Sequence, residues 1–262
     1  MMRLLLRLLW IMLAMGLGLG LAGRSWAAPQ HIVSLDLCTD WMLARHADRS
    51  QVRALSPLHR QYPVTWIDAH WPVHDGTLEQ LVALQPDLVL VGQYNAPLLR
   101  ARLQALGVRV EVLPLPQSLS DIRAYEQRVL GLLGKPLTLA SEEPEAVRMP
   151  APRPRLLLLG PNGVGTGRGT MEDDILVRAG WDNDVQAQGY VQLDLERMAA
   201  HPPDAVLWAA PSSRALANRF AEHPVLKRVI PPSRWLTTDY WRWQCPGPWT
   251  WDLIRQLQQW RG

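Results

Sequence analysis

The chain lacks the short motifs that mark common catalytic sites. It has no G-x-S-x-G elbow, no H-E-x-x-H, and no cysteine near a histidine at a hydrolase spacing. Carboxylate pairs occur, but nothing singles them out for acid–base work. These absences leave a secreted hydrolase or oxidoreductase as a minor reading. A nucleotide site is disfavoured as well: the run Gly160-Pro161-Asn162-Gly163-Val164-Gly165-Thr166-Gly167-Arg168-Gly169 has neither the P-loop Lys-Ser/Thr nor a G-x-G-x-x-G spacing. It reads instead as a strand-to-helix loop whose backbone can approach a ligand closely, or as an irregular structural loop.

Charge of one sign is also missing once the N-terminal segment is set aside. Arg3 and Arg7 precede the apolar run Leu8 to Leu21, and Ser25-Trp26-Ala27 has the small-x-small form of a signal-peptidase site, so cleavage after Ala27 and export are expected. The run is short for a membrane span, and no cysteine lies there to accept a lipid. Residues 1–27 hold three arginines and no acid, so the formal charge of +3 falls to zero in the mature chain. A balance of that kind gives no support to nucleic-acid binding. About 235 residues remain, enough for two small α/β lobes.

Cysteine is scarce: Cys38 and Cys245 are the only two. In an oxidising compartment they can form one disulfide. Closing so long a loop contributes on the order of 5 kcal/mol in the chain-entropy model, less any native strain. Free thiols touching a metal chelate are the alternative.

What the chain does contain is a repeat. Leu78-Glu79-x-x-x-Ala83-x-x-Pro86-Asp87-x-Val89-Leu90 returns as Leu195-Glu196-x-x-x-Ala200-x-x-Pro203-Asp204-x-Val206-Leu207, 117 residues later. In each copy, helical spacing gives way at Pro-Asp to an apolar run, which predicts a short helix, a turn and a buried strand. Each copy also sets a glutamate, Glu79 or Glu196, in the first helical turn after a cap residue, Thr77 or Asp194. Two matched acids on two matched lobes suggest a bipartite contact surface, and acids favouring the helix dipole are the simpler account.

Around the repeat, apolar runs predict strands at 31–37, 52–56, 88–92 and 108–113, with helices at 40–46, 78–84 and 97–106 between them. This alternation implies a mostly parallel sheet. Ser118-x-x-Asp121 opens a helix that ends at Gly134, a candidate strut between lobes. Residues 135–154 are Pro-rich linker. Beyond them, strands are expected at 155–160, 205–209 and 235–238, and helices at 171–179, 195–200, 213–221 and 249–260. The organisation is therefore a leader (1–27), an N-terminal α/β lobe (28–117), a bridging helix with its linker (118–154) and a C-terminal α/β lobe (155–262).

Several clusters invite a binding role. Glu172, Asp173 and Asp174 together suggest a metal site, but in a first helical turn they also suit the helix dipole. His59, Tyr62, His70 and His74 share a Pro- and Trp-rich loop and are candidates to ligate iron in a haem or chelate, with exposed loop histidines as the commoner outcome. Tryptophan is abundant, at 13 residues. Aromatic faces in a cleft suit a large flat ligand, and Tyr240-Trp241-Arg242-Trp243 is the foremost group.

With these pieces placed, the mature chain resembles the periplasmic binding proteins of ABC importers for iron chelates, haem and cobalamin. The resemblance rests on Ile32-Val33-Ser34-Leu35, on Leu78 to Val89 with its Pro86-Asp87-Leu88-Val89, and on Gly165-Thr166-Gly167 leading to Leu176-Val177-Arg178-Ala179-Gly180. It implies two Rossmann-like α/β lobes with mostly parallel sheets, joined by a single bridging helix, with the ligand in a cleft between them. The segment from Ser118 to Arg155 is shorter than in that family.

By the same resemblance, Glu79 and Glu196 dock to arginines of an inner-membrane ABC permease dimer with its ATPase. The first lobe would line the cleft with Cys38, Thr39, His59, Tyr62, Trp71, His74 and Tyr94. The second would contribute Asn162, Arg168, Tyr190, Arg214, Tyr240, Trp241 and Trp243. Cys38 and Cys245 would face each other from loops of opposite lobes, so that a bridge ties the lobes together. No resident cofactor is implied, the protein is not an enzyme, and a monomer is expected. The cargo is a ferric siderophore, cobalamin or haem; a bare-metal receptor and a binding-fold sensor are the alternatives.

Overall fold

The structure is a computed structural model and describes residues 28–68, 70–138, 143–145, 152–209, 219–238 and 240–261. The expected leader with its cleavage site, and most of the helix expected at 213–221, lie outside the described residues. No helix among those residues is long and apolar enough to cross a membrane.

The first lobe runs β1 (Ile32–Ser34), α1 (Leu37–His46), β2 (Val52–Ala54), α2 (Leu58–Gln61), α3 (Leu78–Ala83), β3 (Leu88–Gly92), α4 (Pro97–Ala105) and β4 (Val110–Leu113). Its sheet has the order β2-β1-β3-β4, with every pair parallel. Leu88 and Leu90 join Ile32 and Trp41 in the core on one face, while Val89 and Val91 join Val33, Leu81 and Leu103 on the other. Burial on both faces explains why β3 reads as an unbroken apolar run. β1 is shorter than its apolar run predicts because Asp36 caps α1, accepting hydrogen bonds from Cys38 N (3.0 Å) and Thr39 N (3.1 Å).

The second lobe contains β5 (Arg155–Leu159), β6 (Val164–Thr166), α6 (Met171–Arg178), β7 (Asp182–Asn183), β8 (Tyr190–Gln192), α7 (Leu195–Ala200), β9 (Ala205–Trp208), α8 (Pro224–Val229), β10 (Trp235–Thr237), α9 (Tyr240–Gln244) and α10 (Thr250–Arg261). Its strands run β10-β9-β5-β6-β8, and β7 pairs with the start of β5. β10, β9, β5 and β7 are parallel, whereas β6 and β8 form an antiparallel ribbon absent from the sequence reading. The middle of the glycine run, Val164–Thr166, is therefore a strand, and glycines of the run answer to packing. Gly163 has φ +71°, and a Cβ there would lie 2.5 Å from the Phe220 ring; a Cβ on Gly167 would run into the Ala187 carbonyl.

The repeat does the same structural work in both lobes. Asp87 accepts from Gln30 N (2.8 Å) and His31 N (3.0 Å), and Asp204 accepts from Arg155 N (2.7 Å). Each Pro-Asp turn thus pins the entry of its lobe's first strand.

The bridge is α5 (Leu119–Leu132), about 21 Å long at 1.5 Å per residue. Asp121 accepts from Ser118 N and Oγ at its start, and Gly134, at φ +69°, follows its end. Leu119 and Ile122 are buried in the second lobe's core, whereas Tyr125, Val129 and Leu133 are buried in the first. A second crossing comes near the C-terminus. Trp243 packs in the second core, Cys245 and Trp249 in the first, and Trp251, Leu253 and Ile254 in the second again.

The disulfide Cys38–Cys245 is formed across 207 residues, with Cα atoms 5.0 Å apart. Its surroundings differ from the expected cleft-facing loops. Cys38 lies in the first turn of α1, both cysteines are buried, and both belong to the first lobe's core. The bridge fastens the returning chain to that core from within.

Candidate functional site

In open parallel sheets, ligands collect beyond the carboxyl ends of the strands, where backbone N–H groups and helix starts converge. In the first lobe that end is filled. Asp36 Oδ2 accepts from Gly92 N (2.6 Å) and Thr39 Oγ1 (3.0 Å), and Asp40 accepts from Ser56 N (2.7 Å) and Ser56 Oγ (2.5 Å). Burial raises both carboxyls above the usual range, Asp40 to about 7, against the lowering effect of these bonds. His74 Nε2 lies 2.7 Å from Ser34 O, and its Nδ1 accepts from Gly76 N (3.0 Å). That pair of bonds sets the tautomer with the proton on Nε2.

In the second lobe the same end is hollow. A pocket of about 200 Å³ lies beyond β5 and β9, with Leu158, Val164, Ala209 and Trp243 among its apolar walls. Asn162 sits at its edge in the left-handed region (φ +63°), where Gln192 Nε2 donates to the Asn162 carbonyl (3.0 Å). Thr170 caps α6, its hydroxyl donating to Gly167 O (2.8 Å) and accepting from Asp173 N (3.1 Å). This cap aims Glu172 into the pocket wall, where the residue is 7 % exposed. The Tyr190 hydroxyl donates to Glu172 Oε1 (3.2 Å) and Oε2 (3.3 Å). Burial pushes the Glu172 carboxyl above its ordinary range, outweighing the Tyr190 and Thr170 bonds that pull it down.

Position singles this pocket out from two larger hollows. A hollow of about 350 Å³ lies against α7 and contains the Arg155–Asp184 ion pair (3.0 Å), and one of about 380 Å³ lies against α8 and β10. Both adjoin the core on the sheet face that bears Val185, Met198 and Ile230. The 200 Å³ pocket is instead on the face that α5 crosses, and Gln244 in its wall has its carbonyl 3.7 Å from Cys38 Sγ. It therefore borders the contact between the lobes.

The structure brings Asn162, Tyr190 and Trp243 together at this pocket. Other expected cleft residues are interior groups, and the reading is corrected for them. Cys38 is spent in the disulfide, Thr39 on Asp36, His59 against Ser56 O (2.8 Å), His74 between Ser34 and Gly76, and Trp71 lies beneath the Arg49 guanidinium (5.0 Å). Their burial leaves none of them a cleft face. Tyr62 is half-buried against the first core, and Tyr94, 74 % exposed, projects from the loop after β3. Arg168 is exposed and bonds to Gln186. Arg214 and the side chains of Tyr240 and Trp241 lie outside the described residues.

Glu79 and Glu196 are exposed in the first turns of α3 and α7, behind caps at Thr77 and Asp194. Asp173 accepts from Asn183 Nδ2 (2.9 Å), which fixes the start of α6 and accounts for that acid structurally. Glu172 is the residue missed as a pocket group. The available signal was its place three and four residues before Ile175 and Leu176, on the apolar stripe of α6.

No protein-family model and no curated protein sequence matches the chain. Solved structures do match its fold. A possible iron-binding (periplasmic solute-binding) protein from Staphylococcus epidermidis aligns with TM-score 0.68 at 15% identity, over 89% of this chain and 99% of that one. A periplasmic heme binding protein from Pseudomonas aeruginosa aligns with TM-score 0.65 at 23% identity, over 88% and 91%. A periplasmic vitamin B12 binding protein, BtuF of Vibrio cholerae, aligns with TM-score 0.57 at 15% identity, over 88% and 96%. At these identities the likeness shows the fold: the chain has the two-lobed α/β architecture of periplasmic solute-binding proteins.

Proposed function

We propose that the chain is an exported solute-binding protein that captures a metal chelate at the lobe junction and hands it, without chemistry, to an inner-membrane ABC permease dimer with its ATPase. The observation that carries this reading is the pocket at the strand ends of the second lobe, walled by the segment that crosses to the first, in a fold shared with binders of iron, haem and vitamin B12. Exposed Tyr94 on one lobe and Tyr190 on the other offer aromatic surface for a flat ligand. Glu79 and Glu196 are the docking acids, at the N-termini of equivalent helices, where rim charges set orientation and encounter rate.

The bare-metal alternative has less to draw on: His59 Nδ1 and both His74 ring nitrogens are engaged in buried positions by Ser56, Ser34 and Gly76, which leaves His70, exposed and bonded to Asp68, as the accessible histidine of the three. Titration of residues 28–262 with cobalamin, haemin and ferric siderophores, followed by tryptophan fluorescence, tests the receptor reading. Saturable quenching by one chelate at micromolar concentration or below is expected; no response from folded protein overturns the reading. Charge reversal at Glu79 and Glu196 is expected to abolish transport and leave chelate binding intact, which separates an importer subunit from a sensor.

A further inference from the structure

The charge inside the pocket discriminates between chelates that its position alone does not. Apart from the Tyr190 phenol, Glu172 is the one ionisable group among the described lining residues, and those residues include no Arg, Lys or His. Glu172 is 7 % exposed, and its carboxyl is held by the Tyr190 hydroxyl at 3.2 and 3.3 Å. None of the described lining residues carries a positive charge to pair with it, and burial raises its carboxyl above the ordinary range. A volume of about 200 Å³ falls below that of a site enclosing a drug-sized ligand, so the pocket takes a side arm and leaves the ring of a large chelate outside. The walls formed by Leu158, Val164 and Trp243 suit the methylenes of such an arm.

A primary amide is both donor and acceptor, so its N–H pairs with the Glu172 carboxyl whether or not that carboxyl carries its proton. A carboxylate arm offers no donor and would bury its own negative charge beside the Glu172 carboxyl in an apolar pocket, at a cost the amide arm avoids. We propose that this pocket receives an uncharged primary-amide arm of the cargo, hydrogen-bonded to Glu172, so that the chain selects amide-bearing corrinoid chelates over chelates whose arms are carboxylates, such as haem. This inference rests on the chelate-receptor reading and narrows it. The selectivity arises because a site built to hydrogen-bond one group penalises an analogue that leaves its buried polar atoms unmatched.

The test compares cyanocobalamin, its monocarboxylic acid derivatives (one amide arm hydrolysed in each), haemin and a ferric siderophore on residues 28–262 at pH 8, read by tryptophan fluorescence. Cyanocobalamin is expected to bind saturably, haemin at least about tenfold more weakly, and one monoacid about tenfold more weakly than its parent. Glu172→Gln, which supplies an amide donor, is expected to restore that monoacid. Glu172→Leu is expected to weaken cyanocobalamin about tenfold, with the circular dichroism spectrum and Tm confirming a folded protein. Haemin binding as tightly as cyanocobalamin, or all monoacids binding like the parent, overturns the proposal. Binding of the siderophore alone overturns it and leaves the receptor reading standing. Binding of none overturns both.

Discussion

At the carboxyl end of its sheet the first lobe is solid, and the second is hollow. In the first, Ser34, Asp36, Thr39, Asp40, Ser56 and His74 fill the space beyond β1 and β2, and all six are buried. The two carboxylates there are matched by backbone N–H groups and hydroxyls, as buried polar groups must be. In the second, one buried acid and one tyrosine border a pocket whose remaining walls are largely apolar. Two lobes with the same repeated helix–turn–strand unit thus differ at their strand ends, one packed with buried polar groups and the other bordering a pocket. The tie between them is internal: α5, the chain from Trp243 to Trp251, and the disulfide all enter the first core.

The tie is the place to break the comparison with the largest effect. Replacing both cysteines, Cys38→Ala with Cys245→Ala, is expected to lower stability by about 4 to 5 kcal/mol, measured by urea unfolding, because 207 residues of loop are released in the unfolded chain. Trp249→Ala removes the ring that stacks on Trp66 (centroids 5.4 Å) and meets Trp41 edge-on (5.1 Å). A loss of about 3 to 5 kcal/mol is expected, with the first lobe's amides losing hydrogen-exchange protection ahead of the second's.

The polar network of the first lobe gives that lobe its own pH response. Burial disfavours the charge of Asp40 and pushes its carboxyl up from the ordinary carboxylate range to about 7 in the folded chain. A raised carboxyl stabilises the fold while protonated, so that contribution is full below pH 4 and is lost as pH rises through 7. Asp40→Asn keeps an acceptor for Ser56 N and offers a donor to Ser56 Oγ. It is expected to flatten the pH dependence of stability between 4 and 8 and to leave the variant about 2 to 4 kcal/mol more stable than the parent at pH 8. An unchanged slope in urea titrations across that range would refute the assignment.

The smallest contrast concerns the helix caps. Thr77 Oγ1 accepts from Gln80 N (3.3 Å), whereas Asp194 accepts from both Glu196 N (2.8 Å) and Arg197 N (3.4 Å). Both alanine variants are expected to cost about 1 kcal/mol, with Asp194→Ala the larger loss in thermal unfolding.

Much of the scaffold was legible in the sequence because its signals are local. The strand at Leu88 to Gly92 and the helix at Leu195 to Ala200 fall at the predicted residues, since a two-sided parallel strand must be apolar throughout and a Pro-Asp turn sets the boundary. The ribbon of β6 and β8 was not legible. Val164-Gly165-Thr166 is three residues long and set among glycines, too short to show an alternation of its own, and its pairing depends on Tyr190 to Gln192, some two dozen residues further on. The cleft list failed at His59 and His74 for a similar reason: a Pro- and Trp-rich loop reads as surface, yet Leu55 N bonds to Pro72 O (2.8 Å) and His74 N to Leu55 O (3.2 Å), drawing that loop onto the edge of the sheet.

The sequence by itself determined the two-lobe plan, the strut from Ser118 to Gly134, the paired acids at Glu79 and Glu196, and the cysteines available to close one bridge. Those features follow from repeats, caps and periodicity, which act over a few residues. Tertiary structure alone decided that the bridge lies inside the first core, that Glu172 turns inward to meet Tyr190, and that buried polar groups fill the strand ends of the first lobe while a pocket borders those of the second. Burial and contact between residues far apart in the chain set those outcomes, and no local pattern encodes them.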